Sequence, residues 1–145
     1  MPKLISHRGN LSGKTINENH PSYILSAFDA CDMVEIDCWI VHSRLYLGHD
    51  GPMYSCGFDF IHDNVSKLFV HAKNIVMLEY ILDHKNIHGF WHENDQHTIT
   101  SHGYIVAFPN NPLTKRSICM SPIGYPEVEV MGCYAVCCDN IQGWK

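Results

Sequence analysis

Residues 33–41 read Met-Val-Glu-Ile-Asp-Cys-Trp-Ile-Val. Val34, Ile36, Cys38 and Ile40 alternate with Glu35, Asp37, Trp39 and Val41, which is the two-residue period of a strand. Residues two apart on a strand share a face, so Glu35 and Asp37 point to the same side. A parallel strand inside a barrel is buried on both faces. Acids buried there without a cation would be costly.

The neighbouring segments repeat this arrangement of apolar run and polar end. Leu4-Ile5-Ser6 leads into His7-Arg8-Gly9. After a turn at His42-Ser43-Arg44, Leu45 to Gly48 returns as a hairpin arm that places His49 and Asp50. Leu68 to Ala72 forms a third strand and delivers His71 and Lys73 to one face. Pro21 suits the first position of a helix, and Ile24, Leu25, Ala27, Phe28 and Cys31 follow at helical spacing, with Asp32 closing the helix. Ile75 to Leu82 is a second amphipathic helix. Gly51 to Asn64 reads as a loop with one helical turn. Further strands are expected at Gly89–His92, 98–100, 103–108, 117–120 and 134–138, and the helical pattern nearly vanishes after Leu82.

Strand, helix, strand in repeated order implies βαβ units and a parallel sheet. The polar residues fall at strand C-terminal ends, where ligands bind in open parallel sheets and in (β/α) barrels. A complete eight-fold barrel takes about 250 residues. The 145 residues here predict an α/β fold, a reduced TIM-type (β/α) barrel with several helices replaced by loops. No repeat, linker or low-complexity segment divides the chain, so residues 1–145 are expected to form one domain.

Composition narrows the function classes. Hydrophobic residues make up 46% and charged residues 17%, as in globular proteins. Ten Lys and Arg and a net charge of −5 leave no basic stripe, so nucleic acid is not an expected partner. No run of about 18 apolar residues suggests a transmembrane helix, and the N-terminus, with Lys3, His7 and Arg8, has no signal-peptide pattern. Seven cysteines occur without a CxxC pair, and Cys137 and Cys138 are adjacent. That is neither a zinc-knuckle spacing nor a disulfide framework. Buried thiols in a reducing cytoplasm are expected.

Two histidines, two carboxylates and an arginine at strand ends suit metal-assisted phosphodiester chemistry. The carboxylates hold a hard dication, and the dication and arginine hold a phosphate. In-line displacement at phosphorus needs a base for the nucleophile and an acid for the leaving oxygen. Histidine, with an ordinary pKa of about 6.5, serves either role near neutral pH.

In order and spacing, His7-Arg8-Gly9, Glu18-Asn19, Glu35-Ile36-Asp37 and His49-Asp50 resemble the glycerophosphodiester phosphodiesterase family. The helix carrying Ala27 and Phe28 is similar too, and Ala135 to Asn140 looks like the family's last barrel strand. The resemblance is strong over residues 3–52. It implies a TIM-type barrel, a divalent ion (usually calcium or magnesium), and hydrolysis of a small glycerophosphodiester-like or lysophospholipid-like phosphodiester. It further implies His7 and His49 as the acid–base pair, Glu35 and Asp37 as metal ligands, and Arg8 as a phosphate contact. Glu18 would be a further ligand or a supporting acid. Where the family often has Glu-x-Lys on the third strand, this chain has His71-Ala72-Lys73. Lys73 fits a phosphate contact. His71 offers nitrogen in place of oxygen, which would suit a transition metal. The alternative is an inactive barrel that binds a phosphorylated ligand or a protein partner. Apolar barrel surface left by missing helices would be covered in a homodimer.

Overall fold

The computed structural model describes residues 1–144. All ten strands join one sheet. In chain order the elements are β1 (Lys3–His7), α1 (Pro21–Ala27), β2 (Met33–Val41), β3 (Arg44–Leu47), β4 (Tyr54–Cys56), α2 (Phe58–Asp63), β5 (Leu68–Ala72), α3 (Ile75–Asp83), β6 (Gly89–Phe90), β7 (His97–Ile99), β8 (Ile105–Ala107), β9 (Ser117–Met120), α4 (Glu127–Met131) and β10 (Ala135–Cys138).

The fold is not the expected (β/α) barrel. It is a mixed sheet curled into a half-barrel, with only four short α-helices among the described residues. A parallel run β6-β5-β2-β1-β10-β9-β8 forms its middle. β2-β3-β4 is an antiparallel meander, and β7 lies antiparallel to β8. One bridge, Phe90 to Thr100, links the β6 side to the segment after β7. The physical reason is chain length. Residues 91–96, 100–104 and 108–116 link successive strands, and a helical crossover takes a dozen or more residues. The regular alternation of strand and helix therefore stops after α3.

β2 is the organising strand. β1 pairs with its first half and β3 with its second half along one edge, while β5 pairs along the other. The β2–β3 turn has both central residues at positive φ, His42 at 49° and Ser43 at 63°, the twist that two-residue hairpins favour. Val34, Ile36 and Cys38 face outward with Val70 and Ala72, covered by Ile24 and Ala27 of α1 and Met77 and Ile81 of α3. The opposite parity faces the concave side. There Ile5, Met33, Phe69, Ile118, Ala135 and Cys137 pack together. The polar residues His7, Glu35, Asp37, His71 and Asp139 have that same parity, so the strand period carries each from the concave core toward the strand C-terminal ends.

No described helix is long and apolar enough to cross a membrane. Cys38, Cys56, Cys119, Cys133, Cys137 and Cys138 are free thiols.

Candidate metal and phosphate site

Sheet register assembles the site. His7 is opposite Glu35 across β1 and β2. Asp37 is opposite His71 across β2 and β5. Ser6 is opposite Cys138 across β1 and β10, which brings His7 beside Asp139. Residues 132 positions apart in sequence thus become hydrogen-bonded neighbours.

Beyond β1 the chain turns sharply. Arg8 has φ 59° and Gly9 has φ 91°. A non-glycine residue at positive φ is strained, and here the surroundings hold it. The Arg8 amide donates to the Glu35 carbonyl at 2.9 Å, the Asn10 amide to the His7 carbonyl at 3.0 Å, and the Asn19 amide to the Arg8 carbonyl at 3.1 Å. A side chain at Gly9 would come within 2.7 Å of the Tyr23 ring, so this turn needs glycine.

Glu35, Asp37 and His71 offer ligand atoms that all lie within 4.8 Å of one another, and all three residues are buried. His71 Nδ1 is 2.9 Å from Asp37 Oδ1 and 3.9 Å from Glu35 Oε1. Asn19 clamps Asp37, its Nδ2 donating to Oδ2 at 2.9 Å while its Oδ1 accepts from the Asp37 amide at 2.9 Å. Arg8 Nε lies 3.1 Å from Asp37 Oδ2, but without a hydrogen bond's alignment, since Nε is unpartnered. The attraction there is ionic. Glu35 Oε2 and His71 Nε2 are also buried without a partner.

The two carboxylates part company electrostatically. Burial, and then the nearby Asp37, push Glu35 up to about 8. Burial also acts upward on Asp37, but the His71 hydrogen bond, the His71 and Arg8 charges and the Asn19 hydrogen bond together hold it at about 2.

His7 Nδ1 is 2.8 Å from Asp139 Oδ1. Burial disfavours the imidazolium, yet the Asp139 hydrogen bond and the Glu35 charge outweigh it and raise the His7 pKa. Asp139 is pulled below the usual range: its burial is outweighed by its hydrogen bonds to His7 and Asn10. An ionised Asp139 can only accept, so Nδ1 carries the proton it donates. That leaves His7 Nε2, 3.7 Å from Glu35 Oε2, as the atom that can exchange a proton. His49 repeats the pattern in a more exposed setting, with Nδ1 2.7 Å from Asp50 Oδ1 and a side chain 44% exposed.

A cleft of about 600 Å³ brings many of the expected residues together: His7, Arg8, Glu35, His49 and His71 all line it. Asp37 stands behind them, fully buried. Glu18 does not join the acid cluster. Its Oε2 accepts from Arg8 Nη1 at 3.0 Å and its Oε1 from Asn10 Nδ2 at 2.9 Å, so it braces the arginine. Lys73 does not line the cleft. Its Nζ lies 6.0 Å from the centroid of the Trp39 ring, though its charge still favours ionised Glu35. The rest of the cleft is largely apolar, including Phe90, Phe108, Met120, Ile123 and Trp144.

The sequence offers Asp139, at the end of the last strand, as a substrate contact or a turn residue, and the structure gives it a different role, holding His7. Asn10 and the clamp by Asn19 are not signalled as functional groups. Asn19 belongs to the Glu18-Asn19 dipeptide, which marks its position but not its partner. The partners of all three depend on register. Comparisons with protein-family models, curated proteins and solved structures gave no match for this chain.

Proposed function

We propose that this protein is a metal-dependent phosphodiesterase, acting on a phosphodiester with one apolar alcohol arm. The observation that carries the proposal is the meeting of His7, His49, Arg8, Glu35 and His71 around one cleft. A glycerophosphodiester-like or lysophospholipid-like substrate matches the polar end. The apolar wall of Phe90, Phe108 and Met120 favours the lysophospholipid-like form.

A dication fits the residues present, because ligand atoms of Glu35, Asp37 and His71 lie within 4.8 Å of one another and Glu35 Oε2 is buried and unpartnered, where buried polar atoms normally have partners. Glu35, Asp37 and His71 would hold it, and it would supply Lewis-acid stabilisation of charge on the phosphate oxygens. Arg8, oriented by Glu18 and Asp37, binds a phosphate oxygen. His7 has a raised proton affinity, which suits it to protonate the departing alkoxide through Nε2. Asp139 keeps the imidazole in that tautomer. His49, its Nδ1 held by Asp50, takes the proton from the attacking water or from an adjacent substrate hydroxyl, the latter giving a cyclic phosphate. The apolar wall holds the lipid-like arm out of water. The buried thiols of Cys38, Cys119, Cys133, Cys137 and Cys138 suit a reducing, cytoplasmic setting.

The test is hydrolysis of lysophosphatidyl and glycerophosphodiester substrates with added divalent ions. Ion-dependent turnover that is faster on the lysophosphatidyl substrate is expected. Binding without turnover under any common dication would replace the proposal with an inactive, phosphate-binding protein.

A further inference from the structure

We infer that Glu35, Asp37 and His71 select a borderline transition-metal dication such as zinc, cobalt or iron(II), ligated by a His71 ring nitrogen, over calcium or magnesium. The inference rests on the metal-dependent reading above and specifies which ion serves it.

His71 is placed by backbone, not by a flexible loop. It is the fourth residue of β5, opposite Asp37 in register. Its ring stacks on Phe90, with centroids 4.6 Å apart and planes 13° apart. It therefore presents its edge to the two acids in a fixed orientation. Nδ1 is 2.9 Å from one carboxylate oxygen and 3.9 Å from the other. Ligand atoms bound about 2.1 Å from one tetrahedral ion stand about 3.4 Å apart, and these two distances bracket that spacing. The proton that His71 Nδ1 now shares with Asp37 would be released on binding, as metal ligation requires. With all three ligand atoms within 4.8 Å of one another, small side-chain shifts would bring them around one centre.

The donor set then decides the kind of ion. Calcium takes six to eight oxygens, and magnesium is bound through carboxylates and water. Only two of the clustered residues offer oxygen. The other nearby acids are committed: Glu18 to Arg8 and Asn10, Asp139 to His7 and Asn10, and Asp50 to His49 at the surface. Imidazole nitrogen favours zinc, iron and their neighbours over the hard dications. Two carboxylates and a neutral imidazole balance a double positive charge. The clamp of Asn19 and Arg8 on Asp37 and the stacking of Phe90 on His71 are outer contacts of the kind that orient metal ligands.

The test uses the full chain, first stripped with chelator and then titrated with cobalt(II), zinc, magnesium and calcium by calorimetry. The cobalt-loaded protein is then examined by proton NMR for a hyperfine-shifted, exchangeable imidazole N–H. Glu35→Gln serves as the reference that identifies this site among the surface histidines. One Glu35-dependent equivalent of cobalt is expected, bound at least about 100-fold more tightly than magnesium or calcium. The shifted N–H should be present in the wild type and in His7→Ala. His71→Glu should remove it, weaken cobalt binding by roughly 10–100-fold and improve magnesium or calcium binding. Should His71→Glu fail to fold, the wild-type and His7→Ala spectra still decide the matter. Glu35-dependent binding with no shifted N–H, loss of that signal in His7→Ala, or magnesium binding within ten-fold of cobalt would overturn the inference and leave the phosphodiesterase proposal standing. No Glu35-dependent binding of any dication would overturn both.

Discussion

His7 illustrates how much of a residue's chemistry is set by its neighbours. Its raised pKa arises from Asp139 and Glu35 acting against burial. Asp139→Asn removes the acceptor charge, so the His7 pKa should fall. If His7 is the acid, the alkaline limb of the pH–rate profile should move to lower pH, with turnover reduced roughly 10–100-fold. An unmoved limb would remove Asp139 from the positioning of His7. Glu35 makes a second prediction. Its pKa in the folded chain, about 8, lies above the ordinary 4.5. The stability it contributes is therefore fully present below pH 4.5 and is lost as pH rises through 8. In chelator, Glu35→Gln should melt progressively higher than the wild type as pH rises from 5 to about 8, and added dication should stabilise only the wild type. A constant difference in Tm across that range would contradict the assignment. Asp37, lowered to about 2, has the opposite dependence, losing its contribution only in strong acid. The sequence made His7, Glu35, Asp37 and His49 legible, because each sits at or near the end of an apolar run. It could not show that Asp139 holds His7, because a contact between residues 7 and 139 depends on the order of strands.

The strands were legible where alternation was long. Met33–Val41 and Leu68–Ala72 are strands within the expected bounds. Helix ends were harder. α1 stops at Ala27 although apolar spacing continues to Cys31, because residues 28–32 fold into turns. β4 and α2 lie in the Gly- and aromatic-rich stretch read as a loop with one helical turn, and they are only three and six residues long. α4, five residues after Pro126, was too short to show a period. Asn74 joins two elements at the edge of the site. Its Oδ1 accepts from the Met77 amide at 3.1 Å, capping α3, and its Nδ2 donates to the Ile40 carbonyl of β2 at 2.8 Å. Asn74→Ala should cost about 1–3 kcal/mol, combining a lost helix cap with a backbone carbonyl left unpaired. Denaturant unfolding should show a lower midpoint at unchanged slope. A loss below about 0.5 kcal/mol would mean that water replaces both contacts.

At the scale of the whole molecule, the parallel core was legible, but the (β/α) barrel it suggested is replaced by a mixed half-barrel. β1, β2, β5 and β6 pair in parallel as the strand-helix-strand order requires. After α3, among the described residues, only the β9–β10 connection carries an α-helix, the five-residue α4, and the antiparallel pairs β2-β3-β4 and β7-β8 make the sheet mixed. The site survives this change because it is built on β1, β2, β5 and β10, whose mutual register is parallel throughout. The apolar wall comes largely from the later, loop-rich half, including Phe108, Met120 and Ile123, so the two halves would divide substrate recognition from chemistry. The central claim is that His7 and His49 act on one phosphodiester in this cleft. The most direct measurement is phosphorus NMR of a lysophosphatidyl substrate incubated with the ion-loaded wild type, His7→Ala and His49→Ala, at matched ion occupancy. The account predicts that the wild type converts the phosphodiester signal to a phosphomonoester or cyclic phosphate, and that each variant does so at least about 100-fold more slowly. Conversion by His7→Ala at the wild-type rate, or no conversion by the ion-loaded wild type, would contradict it.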